Sequence, residues 1–158
     1  MTREVFNTWT DYQRGVDTLL AMAQQRLCIY DPDLALLRLD GGERLEQLHR
    51  LLRSGRTGCV QIALRDANRI QQQAPRLMDT LASFGHLMTI AEIPETLHHL
   101  RDSIAIADGC HGLIRFDQDQ ARGKLLIDEV EETMPYQKRF DEIWQECTTT
   151  ISPRPLGL

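Results

Sequence analysis

The chain has 158 residues, 42% of them hydrophobic and 26% charged, with a formal net charge of −5 at pH 7. That length suits one domain able to bury its own core, and the composition is that of a soluble globular protein. The acidic excess argues against broad nucleic-acid binding, which shows as a basic surplus, and no apolar run is long enough to span a bilayer.

The opening Met1-Thr2-Arg3-Glu4-Val5 lacks the apolar stretch of a signal peptide, so a cytoplasmic location is expected. Trp9, Tyr12, Val16, Leu19, Leu20 and Ala23 recur at helical spacing, and Thr10 with Gln13 can form a capping box ahead of them. Residues 26–30 read as a buried strand ending in the turn Asp31-Pro32-Asp33. Leu45, Leu48, Leu51 and Leu52 mark a second helix between Gly41-Gly42 and Gly55. Residues 59–64 form a second strand. Leu77, Met78, Leu81 and Phe84 mark a third helix with Pro75 in its first turn, and residues 87–91 a third strand closed by Pro94.

Helix-length connections between these strands predict parallel pairing through right-handed crossovers. After Pro94 the links shorten, so residues 103–107, 112–116 and 124–127 read as an antiparallel meander. A last helix carries Tyr136, Phe140, Ile143, Trp144 and Cys147 on one face, with Thr133 and Pro135 at its start. The expectation is an α/β domain over residues 1–150, with a mixed sheet of about six strands and helices on both faces. Residues 151–158 are left as an extended C-terminal tail.

Candidate chemistry is sparse. Cys28, Cys59, Cys110 and Cys147 are scattered with no Cys-x-x-Cys pair, so neither a disulfide framework nor a structural zinc is expected. Glu92, Glu95, His98 and His99 superficially suggest a metal site, but Pro94 breaks any helix that would align them, and adjacent histidines in a strand face opposite ways. Asp31 and Asp33 follow the first strand, where open α/β sheets place ligand loops and where paired carboxylates can hold Mg²⁺; an Asp-Pro-Asp turn also needs no function to exist. Arg50, Arg53 and Arg56 follow a helical run and can form an anion patch; the favoured reading is a helix C-terminus, whose dipole favours cations. No Walker A loop, dinucleotide fingerprint or Gly-x-Ser-x-Gly elbow is present, and no cofactor or metal is expected.

The segment Arg101-Asp102-Ser103-Ile104-Ala105-Ile106-Ala107-Asp108-Gly109 reads as a strand ending in an Asp-Gly turn, with Gly112-Leu113-Ile114-Arg115-Phe116 returning beside it. This strand, after a βαβαβ pattern, resembles the signature strand of the phospholipase D superfamily, His-x-Lys-x4-Asp usually followed by Gly. The resemblance covers element order from Arg26 to Trp144, and motif only at Asp108-Gly109. It implies a chemistry in which a motif histidine attacks phosphorus, a second protonates the leaving group and lysines hold the phosphate. Two motif copies are needed, and short one-copy members pair to supply them, so a homodimer is expected.

Anchored on Asp108, the motif puts Arg101 at the histidine position and Ser103 at the lysine position. A guanidinium stays protonated and is no nucleophile, and serine brings no positive charge. Anchored on His99, it puts Arg101 at the lysine position but Ile106 where the aspartate belongs. A motif lengthened by two residues keeps strand facing yet moves the acid by about 6.6 Å. No catalytic residue is therefore expected; His99, Arg101, Asp108 and His111 stand as candidate anion-binding residues. The plain reading of the strand has Ile104 and Ile106 facing the core, with Asp102 and Ser103 solvated or capping.

The segments Cys28-Ile29-Tyr30-Asp31-Pro32-Asp33, Ile106-Ala107-Asp108-Gly109 and Leu156-Gly157-Leu158 also resemble an uncharacterised proteobacterial domain sometimes attached to acetyltransferase-like domains. That implies an acetyltransferase-like partner, although this chain has no acetyl-CoA loop. The functional expectation is a non-catalytic phospholipase D-like binding or regulatory module. The alternatives are a divergent phosphodiesterase or nuclease completed across a dimer, and a protein-interaction domain acting through the tail.

Overall fold

A computed structural model describes residues 1–154 as one eight-stranded mixed sheet with helices on both faces. The strands are β1 (Thr2–Phe6), β2 (Leu27–Asp31), β3 (Val60–Leu64), β4 (Met88–Glu92), β5 (Ser103–Ala107), β6 (His111–Arg115), β7 (Gly123–Ile127) and β8 (Thr149–Thr150), in the order β1-β7-β6-β5-β2-β3-β4-β8. The helices are α1 (Trp9–Met22), α2 (Gly42–Arg53), α3 (Ile70–Gln73), α4 (Pro75–Ser83) and α5 (Val130–Glu146). β2, β3 and β4 pair in parallel, whereas β5 joins β2 antiparallel and leads through β6 and β7 to β1. The expected parallel half and antiparallel meander are both present; the sheet has eight strands rather than about six.

Strand alternation sorts the core into two layers. Leu27 and Ile29 of β2, with Ala105 and Ala107 of β5, pack under α1, α2 and α4. Cys28 and Tyr30, with Ile104 and Ile106, pack under Phe140 and Ile143 of α5. All five residues of β5 are buried, as a strand covered on both faces requires. Gly15 of α1 sits where a Cβ would come within 2.8 Å of Leu113 Cδ1, so the absence of a side chain lets α1 lie close on β6. Burial pushes the Cys28 thiol up to about 11. At pH 8 only about one Cys28 in a thousand is then a thiolate, so Ellman's reagent should label it very slowly in the native protein and fully in denaturant. Rapid native labelling of Cys28 would mean that β2 opens readily.

Local details differ from the sequence reading. The N-cap of α1 is Thr8, whose hydroxyl accepts from the Asp11 N–H, rather than Thr10. Helix α5 begins at Val130, leaving Pro135 inside it. His98 ends a single 3-10 turn over Glu95–Leu97. Thr149 and Thr150 pair with Glu92 and Ala91, and the Ile151 N–H donates to Ile90 O, so the chain is held to the sheet at the start of the expected tail. Leu156-Gly157-Leu158 lie outside the described residues.

Candidate functional site

The carboxyl ends of β2, β3 and β4 and the start of β5 lie at one end of the sheet, where open α/β folds place ligands. Asp31 closes β2 there, and alternation points it to the same face as Ile29, beneath α1. Ser103 of β5 and Arg115 of β6 share that face. Ser103 Oγ donates to Asp31 Oδ1 at 2.5 Å, and Arg115 Nη2 donates to the same oxygen at 3.2 Å. Asp31 Oδ2 accepts from the N–H groups of Asp33 and Leu34. Asp31 and Arg115 are each 1% exposed, so this ion pair is closed off from solvent.

Arg115 is held from several sides. Its Nη1 donates to the carbonyls of Gln118 and Asp117, and its guanidinium lies 5.1 Å from the Tyr12 ring and 5.6 Å from the Trp9 ring. Both contacts are cation–π in geometry. Burial pushes the Tyr12 hydroxyl up to about 12. Burial likewise pushes the Asp31 carboxyl upward, opposed by Ser103, by the Arg115 guanidinium and by the two N–H donors. Arg115 Nε and Gln118 Oε1 are buried without a hydrogen-bond partner among the described residues. The expectation that Ser103 is solvated or capping is corrected: it is an inward-facing donor to a buried carboxylate. Both Asp31 oxygens are engaged internally, which leaves the Asp31–Asp33 turn poorly suited to Mg²⁺.

The four candidate anion-binding residues do not converge. His99 is exposed beside the 3-10 turn, and Arg101 lies just before β5. Arg101 donates to Asp117 at 3.1 Å and Asp119 at 2.6 Å, which braces the β6–β7 loop and neutralises the guanidinium. Those two acids hold Arg101 above its ordinary value, and the Asp119 N–H followed by Arg101 holds Asp117 below its own. Asp108 and His111 flank the β5–β6 turn at the other end of the strand, and the four steps of β5 alone span about 13 Å.

Asp108 has a structural task there. With φ of 57° it sits in the left-handed region, and its carboxylate accepts the N–H groups of Gln24, Gln25 and Arg26. It thereby fastens the segment between α1 and β2. His111 is buried, its Nδ1 accepting the Asp128 N–H at 3.0 Å. Arg50 spans from α2 to the Leu20 and Ala23 carbonyls at the end of α1, so it caps a neighbouring helix rather than its own.

Two open clefts lie at this end of the sheet, neither lined by the ion pair itself. One of about 420 Å³ is lined by Arg65, Asp66, Asn68, Glu92, Glu95 and His98. The other, of about 310 Å³, lies between Asp33, Arg38, Asp40 and Gly41 and the apolar Ile70 and Leu77. Sequence reasoning missed Arg115 altogether. A lone arginine at the end of an apolar strand reads as a solvated terminus, and its carboxylate partner is 84 positions away.

Among solved structures, the chain is similar to TrmBL2, described as an archaeal chromatin protein with a novel mode of DNA binding, at TM-score 0.68 and 10% identity. That match covers 94% of this chain and 54% of the other, so the chain spans about half of TrmBL2. NucT from Helicobacter pylori matches at TM-score 0.60 and 11% identity, over 94% of this chain and 98% of its own. Nuc from Salmonella typhimurium, a phospholipase D family member, matches at TM-score 0.56 and 10% identity, over 94% and 97% of the two chains. The fold is phospholipase D-like. No curated protein sequence matches the chain. A family model described as "Domain of unknown function (DUF7931)" matches residues 9–156.

Proposed function

The chain belongs to the DUF7931 family, and on its phospholipase D-like fold we propose a non-catalytic binding or regulatory module. One observation carries this reading: the place that the motif gives to a phosphate-holding lysine is taken by Ser103, locked into a buried pair of Asp31 and Arg115. The place of the nucleophile is taken by Arg101, which two aspartates hold. The Arg101 guanidinium stays protonated and is no nucleophile, Ser103 is buried and brings no positive charge, and the positive charge of Arg115 is spent internally. The test is hydrolysis of a chromogenic phosphodiester and of DNA, with and without chelator. No turnover above background is expected. Turnover that vanishes in a His99→Ala variant would favour the divergent phosphodiesterase instead.

A homodimer belongs to the same proposal. The half-exposed Trp9 and Phe116 and the more exposed Val5 lie around the Arg115 end of β6, next to the edge strand β1, and offer apolar surface for a second copy. Light scattering at micromolar protein is expected to give twice the 18.2 kDa chain mass. A mass near 18.2 kDa overturns the dimer. Binding of an acetyltransferase-like protein is the further partner suggested by the sequence, and co-purification with such a protein is its test. The DNA binding described for TrmBL2 is a weaker guide, because this chain carries a net charge of −5.

A further inference from the structure

At the end of the sheet away from the Asp31–Arg115 pair, two turns meet. Asp108-Gly109-Cys110 joins β5 to β6, and Asp128-Glu129 joins β7 to α5. Three left-handed residues shape them, with φ of 57° at Asp108, 70° at Gly109 and 54° at Asp128. The Cys110 N–H donates to Ala107 O and the Glu129 N–H donates to Cys110 O, so the turns are tied to each other. This brings one sulfur, one nitrogen and one oxygen donor from Cys110, His111 and Asp128 within 4.8 Å of one another.

From this convergence of Cys110, His111 and Asp128 we propose a binding site for one zinc-class divalent ion. A thiolate, an imidazole and a carboxylate together suit a borderline-soft cation and disfavour Mg²⁺ or Ca²⁺, which take oxygen ligands. Accepting the Asp128 N–H keeps the His111 lone pair on Nδ1, and that nitrogen lies 3.9 Å from Asp128 Oδ1. An ion would take this lone pair from the N–H.

The Asp128 side chain is 61% exposed. Drawing the donors onto one ion at bond lengths of about 2.0–2.3 Å needs movements of about 1 Å. Asp108 and Asp128 place negative charge beside the Cys110 thiol. Asp108 contributes charge and not a bond, because three backbone N–H groups already occupy its oxygens. Binding releases the thiol proton to solvent and forms a metal–sulfur bond, with no change of oxidation state.

The sequence expectation of no metal rested on the missing Cys-x-x-Cys and on Pro94. It missed this group because Asp128 stands 17 positions from His111 and only the β6–β7 pairing brings them together. Among the described residues, the superficially metal-like Glu92, Glu95 and His98 do not form such a cluster.

The test is titration of chelator-treated full chain with Zn²⁺ and with Co²⁺ under reducing conditions, with Mg²⁺ as control. One ion per chain is expected, with thiolate-to-cobalt charge-transfer absorption and a released proton. Cys110→Ser should abolish that absorption and weaken zinc by at least about 100-fold. Asp128→Asn, tolerated at a left-handed position, should weaken it with the melting curve of the apo protein unchanged. Because His111 is buried, its variants risk misfolding, and the two turn variants carry the test. Equal uptake by the Cys110→Ser protein overturns the site. So does a charge-transfer band that survives that substitution, which would put the ligand at Cys28, Cys59 or Cys147.

Discussion

Arg115→Met is expected to destabilise the protein by about 3–5 kcal/mol, because it leaves the Asp31 carboxylate buried without its counter-charge. For a domain of this size the melting temperature should fall by about 6–20 °C. Asp31→Ala alone should cost a similar amount. It strands the guanidinium and leaves the Leu34 N–H and the Ser103 hydroxyl without their acceptor. The double variant should lose clearly less than the sum, since two well-packed apolar groups can replace a buried ion pair at little cost. Urea unfolding of the four proteins gives the comparison. Additive losses would mean that the pair is not coupled, and a loss below about 1 kcal/mol for Arg115→Met would mean that water reaches it.

Gly123→Ala is the second large effect expected. A Cβ at Gly123 would meet the Ile114 carbonyl oxygen at 2.0 Å and Phe6 Cζ at 2.9 Å. The first obstacle is backbone inside a ladder, where β7 opposes Arg115 on one side and Phe6 on the other. The strand cannot yield without breaking pairing, so a loss of about 3 kcal/mol or more is expected, beyond ordinary overpacking. Gly112→Ala in β6 is the matched control, because its Cβ would meet only side-chain carbons at 3.7–3.8 Å. Thermal melts of the two variants should separate widely. Similar melting temperatures would show that β7 can shift to make room.

The elements that announced themselves in the sequence were those whose fate is decided by burial. Cys28-Ile29-Tyr30, Ile62-Ala63-Leu64 and Ile104-Ala105-Ile106 are apolar throughout because helices cover both faces of those strands. The change from helix-length to short connections after Pro94 was enough to give the antiparallel half. Strand β1 was hidden, because in Thr-Arg-Glu-Val-Phe only Phe6 is buried and pairing with β7 alone makes it a strand. The start of α5 was misplaced because proline favours a first turn, whereas Pro135 lies deeper in this helix.

That Arg101 and Ser103 stand where the resembled motif has a histidine and a lysine could be read directly from the sequence. What fills the space could not, because an ion pair between strands depends on register: Arg115 stands opposite Ser103, whose strand is paired to β2. His99, Arg101, Asp108 and His111 looked like one group because they are close in sequence. A strand lies between them, and a strand keeps its two ends apart.

The pairing of β1 with β7 brings residue 2 opposite residue 127, across about four-fifths of the 158 residues. Closing so long a loop carries an entropic penalty that only the completed meander can offset. The N-terminal strand is therefore placed to dock late in folding, after β5, β6 and β7 have formed a surface to receive it. In the native state the order reverses: amide hydrogens of β1 should exchange with solvent through a partial opening that leaves β2, β3 and β5 protected.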